Sequence, residues 1–144
     1  MYTTQEIQEE IISEFEVLEN KNDQYQYIID LGRNLPPFPE EYRKDENLIK
    51  GCQSKVWLVP ILKENRIYFD ADSDSTLVKG LVSLLIRIFN GRTPQEILST
   101  ELFFIDRIGL KGMLSMNRAN GLASMIQQIK TFARCYQENA PSLQ

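Results

Sequence analysis

Two cysteines, Cys52 and Cys135, are the thiols of this chain, and histidine is absent. Without imidazole there is no Ser-His-Asp triad and no Cys-His dyad, and no side chain that moves protons near neutral pH in the way histidine does. Two thiols are too few for a four-thiolate zinc or iron–sulfur site within one chain. They also supply no disulfide framework, which fits a reducing cytoplasm. A lone thiol can act through its thiolate, the form that attacks sulfur. Cys52 stands in Lys50-Gly51-Cys52-Gln53-Ser54-Lys55, the one stretch that packing does not explain. Gly51 permits unusual backbone angles beside the thiol and lets the loop swing. Lys50 and Lys55 bring cations that favour thiolate over thiol. Against this stands the ordinary use of a lone cysteine near a strand, as a small buried hydrophobe. Cys135 falls off the apolar stripe of its helix and reads as partly exposed and incidental.

The elements around that loop follow from periodicity. Thr3 and Glu6 form a capping-box pattern ahead of Ile7, Ile11, Phe15 and Leu18, an amphipathic helix. Asp23 and Gln26 restart a second helix carrying Tyr25, Ile28, Ile29 and Leu31, with Gly32 as the expected C-cap. Leu35-Pro36-Pro37-Phe38-Pro39 cannot be regular helix and reads as a rigid strap. Residues 55–62 are apolar at both alternate sets of positions, so a strand covered on both faces is expected, with Pro60 marking an edge or bulge. Lys63-Glu64-Asn65 turns the chain into a second strand with Ile67, Phe69 and Ala71 facing one way. Asp72-Ser73-Asp74-Ser75 offers N-caps for a helix to Phe89, apolar nearly all round and therefore central. Thr93-Pro94-Gln95-Glu96 starts a short helix, and residues 102–114 read as irregular or short helical. A last helix is predicted over about 118–137, with Leu122, Ile126, Ile129, Ala133 and Tyr136 on one stripe. The order predicts an α+β fold: a small antiparallel sheet with helices packed around it.

At 144 residues with ordinary globular composition, residues 1–144 are expected to form a single domain rather than a disordered chain. The strongest apolar stretch, 81–89, is too short to span a bilayer, so no membrane partner is expected. The acidic start resembles neither a signal peptide nor an Arg-rich transit segment, and a cytoplasmic location is expected. A net charge of -4 argues against nucleic acid as partner. That charge is unevenly placed. Residues 1–46 hold twelve of the twenty acids and four of the sixteen basic residues, which leaves 47–144 mildly basic. Such a division suits an oriented protein partner, although a solvated helix face explains much of it.

Gly51-Cys52-Gln53-Ser54-Lys55-Val56-Trp57 resembles the GCQSxVW motif of the SufE family, sulfur acceptors for SufS-type cysteine desulfurases. The resemblance continues through Tyr27-Ile28-Ile29-Asp30-Leu31-Gly32 with Leu35-Pro36, and through Ala71-Asp72-Ser73-Asp74-Ser75 with Val78-Lys79-Gly80-Leu81. Thr93-Pro94-Gln95-Glu96-Ile97 and Arg118-Ala119-Asn120-Gly121-Leu122 match two later family segments in order. One segment departs: relatives often read H-L-S-P-x-R where this chain has Met113-Leu114-Ser115-Met116-Asn117-Arg118.

The resemblance implies a fold shared with the IscU-type iron–sulfur scaffold. It implies that Cys52 attacks the outer sulfur of a desulfurase persulfide, stimulates that enzyme and relays sulfur for iron–sulfur cluster assembly. Gly51, Gln53, Ser54, Asp74 and Arg118 would then position the loop or dock the partner. For Asp72 and Asp74, plain helix capping is the competing reading. The chain would need no metal or cofactor, since the pyridoxal phosphate belongs to the desulfurase, and it would be a sulfur-transfer protein without being a complete enzyme alone. A downstream iron–sulfur scaffold is the second implied partner. Two rival readings stay open: a regulatory module that binds a desulfurase without carrying sulfur, and a redox switch pairing Cys52 with Cys135. The switch requires their Cα atoms within about 7 Å.

Overall fold

A computed structural model describes residues 2–139. Helix α1 (Thr4–Glu16) starts from the expected capping box: Thr3 Oγ1 accepts from the Glu6 N–H, and the Glu6 carboxylate accepts from the Thr3 N–H at 2.8 Å. It buries Ile11, Ile12 and Phe15. Helix α2 (Lys21–Arg33) begins two residues before Asp23, because Asn20 is its cap and accepts from the Asp23 N–H. Gly32 does not cap it. The helix runs on to Arg33, with Asn34 beyond it. Gly32 serves instead as a contact surface, since a Cβ there would lie 2.7 Å from the Gly80 nitrogen.

Beyond α2 the proline strap carries Phe38 into the core and leads through two short 3-10 turns (Glu40–Tyr42 and Asp45–Asn47) to the sheet. Strands β1 (Val56–Lys63) and β2 (Arg66–Ser73) form an antiparallel hairpin in the register Val56 with Ser73 to Lys63 with Arg66. Glu64 and Asn65 make the two-residue turn, both with positive φ, the geometry that matches strand twist. The expectation of a doubly covered strand holds for only half of β1. Val56, Trp57 and Leu58 are buried, whereas Ile61 and Leu62 are 37% and 46% exposed. The reason is local: Phe38 and the Arg43 guanidinium cover Trp57, 6.4 Å and 4.8 Å from its ring, and this cover does not extend along the strand.

Helix α3 (Thr76–Phe89) is the core helix, with ten of its fourteen residues buried. Ser75, not an aspartate, is its N-cap and accepts from the Val78 N–H. Gly80 lets α2 pack directly onto it, because a Cβ at Gly80 would lie 2.0 Å from the Ile28 carbonyl oxygen. Helix α4 (Pro94–Ser99) shows the Thr93–Glu96 capping box, and α5 (Phe104–Arg107) and α6 (Leu110–Met113) are single turns. Helix α7 (Met116–Asn139) begins two residues earlier than the pattern predicts, since Ser115 Oγ accepts from the Arg118 N–H. Leu122, Met125, Ile129 and Ala133 turn its apolar face inward. The architecture is α+β: helices around a two-stranded antiparallel sheet. Among the described residues no helix is long and apolar enough to cross a membrane.

Candidate functional site

The loop that carries Cys52 is closed at its base, and its tip rests on α7. Ile49 N–H donates to the Val56 carbonyl at 2.8 Å. Lys55 is gripped from β2 and the turn after it: Asp74 Oδ1 accepts from its N–H at 3.0 Å, while Ser73 Oγ donates to its carbonyl at 2.7 Å. Asp74 is therefore a backbone clamp for the loop and not a helix cap. Residues 50–54 lie between these fixed points, and their neighbour is α7.

Gly51 has φ +89°, a conformation open to glycine, and a Cβ there would come 2.6 Å from Ser124 Oγ. Cys52 is half-buried, and its Sγ lies 3.6 Å from the Gly121 carbonyl oxygen. Gln53 Oε1 accepts from Asn117 Nδ2 at 3.0 Å. A cavity of about 250 Å³ opens beside the thiol, lined by Cys52, Gln53, Ser54, Ser115, Asn117 and Arg118 and floored by Val78 and Met125. Arg118 is exposed and reaches this cavity, with no ion pair among the described residues. A cation at its wall suits an anionic sulfur species.

Burial pushes the Cys52 thiol above its ordinary pKa, so the neutral form is favoured. The expected activation by Lys50 and Lys55 is not built into this arrangement. Both lysines are exposed, and burial is the cause that acts on the thiol. Behind the loop, Asp72 takes ion pairs from Arg43 at 2.8 Å and Lys79 at 3.3 Å. Burial alone would raise its pKa, but the Arg43 and Ser73 hydrogen bonds and the Lys79 charge outweigh that and hold its carboxylate low.

Cys52, Gln53, Ser54 and Arg118 thus converge on one cavity, Gly51 packs beside it on Ser124, and Asp74 acts on the loop through Lys55. Ser115, Asn117, Gly121 and Ser124 also belong here, and sequence reasoning passed them over as contributors. The signal available was their spacing, since 117, 121 and 124 share one face of a helix. Cys135 is exposed and fourteen residues beyond Gly121 on α7, about 21 Å along the axis. A Cys52–Cys135 disulfide is out of reach in this fold. Among the described residues no group of three His, Cys, Asp or Glu side chains gathers as a metal site.

Fold and site together define a small α+β protein built around one sheltered thiol on a glycine loop. Residues 9–133 match the SufE family model, described as an Fe-S metabolism associated domain. The chain is 42% identical over 130 residues to an uncharacterized SufE-like protein of Rhizobium meliloti, covering 87% of this chain and 93% of that one. It is 40% identical over 131 residues to an uncharacterized SufE-like protein of Rhizobium etli, covering 88% of each. A solution structure of a hypothetical protein from Thermus thermophilus superposes with a TM-score of 0.75 at 16% identity, over 92% of this chain and 97% of the other, a likeness of fold. The chain belongs to the SufE family.

Proposed function

We propose that this protein is a sulfur acceptor for a SufS-type cysteine desulfurase, with Cys52 as the atom that receives sulfur. The observation that carries the reading is the half-buried Cys52 thiol facing a cavity that Arg118 also lines, on a loop whose tip is held only against α7. In the transfer, the Cys52 thiolate attacks the outer sulfur of the desulfurase persulfide. A new S–S bond forms as the old one breaks, and the desulfurase thiolate leaves, so no net oxidation occurs and no metal or redox cofactor is consumed. The pyridoxal phosphate that cleaves the carbon–sulfur bond of cysteine belongs to the desulfurase. A downstream iron–sulfur scaffold then receives the sulfur. The family's association with Fe–S metabolism supports this placement.

The raised pKa of the buried thiol supports a two-stage action, in which Cys52 is quiet alone and reactive once docking turns it outward. Shelter of this kind protects a persulfide from stray thiols between donor and recipient. Mass spectrometry after incubation with desulfurase and cysteine tests the reading. Cys52 should gain one sulfur atom, about 32 Da. Cys52→Ser should abolish stimulation of the desulfurase, and Cys135→Ser should keep it. An unmodified Cys52 beside a stimulated desulfurase would replace the acceptor reading with that of a regulatory module.

A further inference from the structure

Gly51, Cys52 and Gln53 run along α7 in reverse order, set against Ser124, Gly121 and Asn117 respectively. Each step of the loop meets the helix three or four residues earlier, so the loop tip lies on a single helix face as on a rail. The three contacts differ in kind. At Gly51 there is only close packing on Ser124. At Cys52 a thiol, a weak donor, points at a carbonyl 3.6 Å away. At Gln53 there is a full amide–amide hydrogen bond of 3.0 Å between two exposed side chains. With the loop's base fixed by Ile49, Val56 and Lys55, this last bond is the strongest directional tie on the tip, and both of its side chains are open to solvent.

We propose that Asn117 is a positioning residue for Cys52: through Gln53 it holds the loop tip on α7, so that the thiol stays turned into the cavity until that bond is exchanged for one to a partner. The meaning of the device rests on the acceptor reading above, but its geometry does not. An exposed amide pair is weak enough to be displaced by any competing amide or carboxylate at a docking surface, and strong enough to shift a local opening equilibrium about two- to tenfold.

The test needs no desulfurase. In a Cys135→Ser background, Cys52 is the remaining thiol, and its second-order alkylation rate with iodoacetamide reports how often the tip lifts. Asn117→Ala and Gln53→Ala should each raise that rate about two- to tenfold, and the double variant should add little to either. Asn117→Leu keeps about the same size but can neither donate nor accept, and should behave like the alanine variant. Combining Asn117→Lys with Gln53→Glu restores an attractive pair and should return the rate toward that of the parent. Thermal unfolding should not move, which separates positioning from general loosening. Unchanged alkylation in Asn117→Ala, or effects of the two alanine variants that simply multiply, would overturn the proposal. Failure of Cys52 to take up sulfur in the mass measurement would overturn the acceptor reading and leave this result standing.

Discussion

The reactivity of Cys52 is a contest between charge and burial, and burial wins in the free protein. Two lysines flank the thiol in sequence, yet both reach solvent, where screening weakens their pull on a group inside the fold. The thiol itself is half-buried, and a carbonyl oxygen 3.6 Å away stabilises S–H over S⁻. A measurable consequence is the pH profile of alkylation. In the folded protein the rate should rise with a midpoint above the ordinary thiol range of about 8 to 9, while the urea-unfolded chain titrates within it. A folded-state midpoint at or below that range would show that cations govern the thiol after all. This residue also marks how far sequence carries. The motif around Cys52 was legible because it is local: a glycine, a thiol and their neighbours are adjacent in the chain. What lay over the thiol was not, because Asn117, Gly121 and Ser124 arrive from more than sixty residues away and have ordinary helix identities.

Among elements, the pairing of α2 with α3 decides where the loop can stand, since β1, β2 and α3 follow one another and α3 is the floor on which they rest. That pairing depends on two glycines. Gly80 faces the Ile28 carbonyl and Gly32 faces the Gly80 backbone, so the helices approach more closely than any side chain allows. Replacing a helical glycine by alanine ordinarily favours the helix by about 1 kcal/mol. Here a methyl group would lie 2.0 Å from a backbone oxygen, which cannot rotate away. Overpacking of this sort costs about 3 kcal/mol, so the clash outweighs the propensity gain. Gly80→Ala should therefore lower the urea midpoint with little change in slope, whereas alanine at exposed Gly112, which meets nothing within 4 Å, should leave it level or raise it. The reading of Gly32 as a helix stop failed for the same physical reason. Glycine serves both for positive φ and for close approach, and the partner that distinguishes the two lies elsewhere in the chain. Capping boxes at Thr3 and Thr93 and the hairpin turn were legible, because their partners are three residues apart or fewer. The bare end of β1 was not, since apolar residues at Ile61 and Leu62 say what a strand resembles and not what covers it.

Across the whole molecule, the acidic front and the basic remainder are joined by ion pairs and not simply displayed side by side. Glu10 and Glu14 of α1 both engage Arg87 of α3, with Arg87 Nη1 to Glu14 Oε1 at 2.8 Å. Arg43 of the front engages Asp72 on β2. Some of the charge division expected to face a partner is thus used inside the fold. The Arg87 hydrogen bond holds the Glu14 carboxyl below its ordinary range against the effect of burial, with the Tyr27 hydroxyl donating as well. Glu14 and Asp72, depressed in the folded state, contribute stability that is full above the unfolded carboxylate values near 4 and is lost as pH falls through their lower folded values. Tyr27 works at the other end. Burial, and then its bond to Glu14, push it up to about 12, so its contribution is present below about pH 10 and is lost as pH rises toward 12. Arg87→Met tests the acid limb, because methionine fills the space without the charge. At neutral pH it should cost about 2 kcal/mol, toward the lower side of a buried broken pair since all three side chains retain some solvent contact. Below pH 4 the gap between variant and parent should narrow, as protonated Glu14 no longer needs the guanidinium. Urea unfolding at intervals from about pH 2.5 to about pH 7, a range that brackets the carboxylates, reads this directly. A constant gap across that span would show that Arg87 stabilises the junction of α1 and α3 by packing alone.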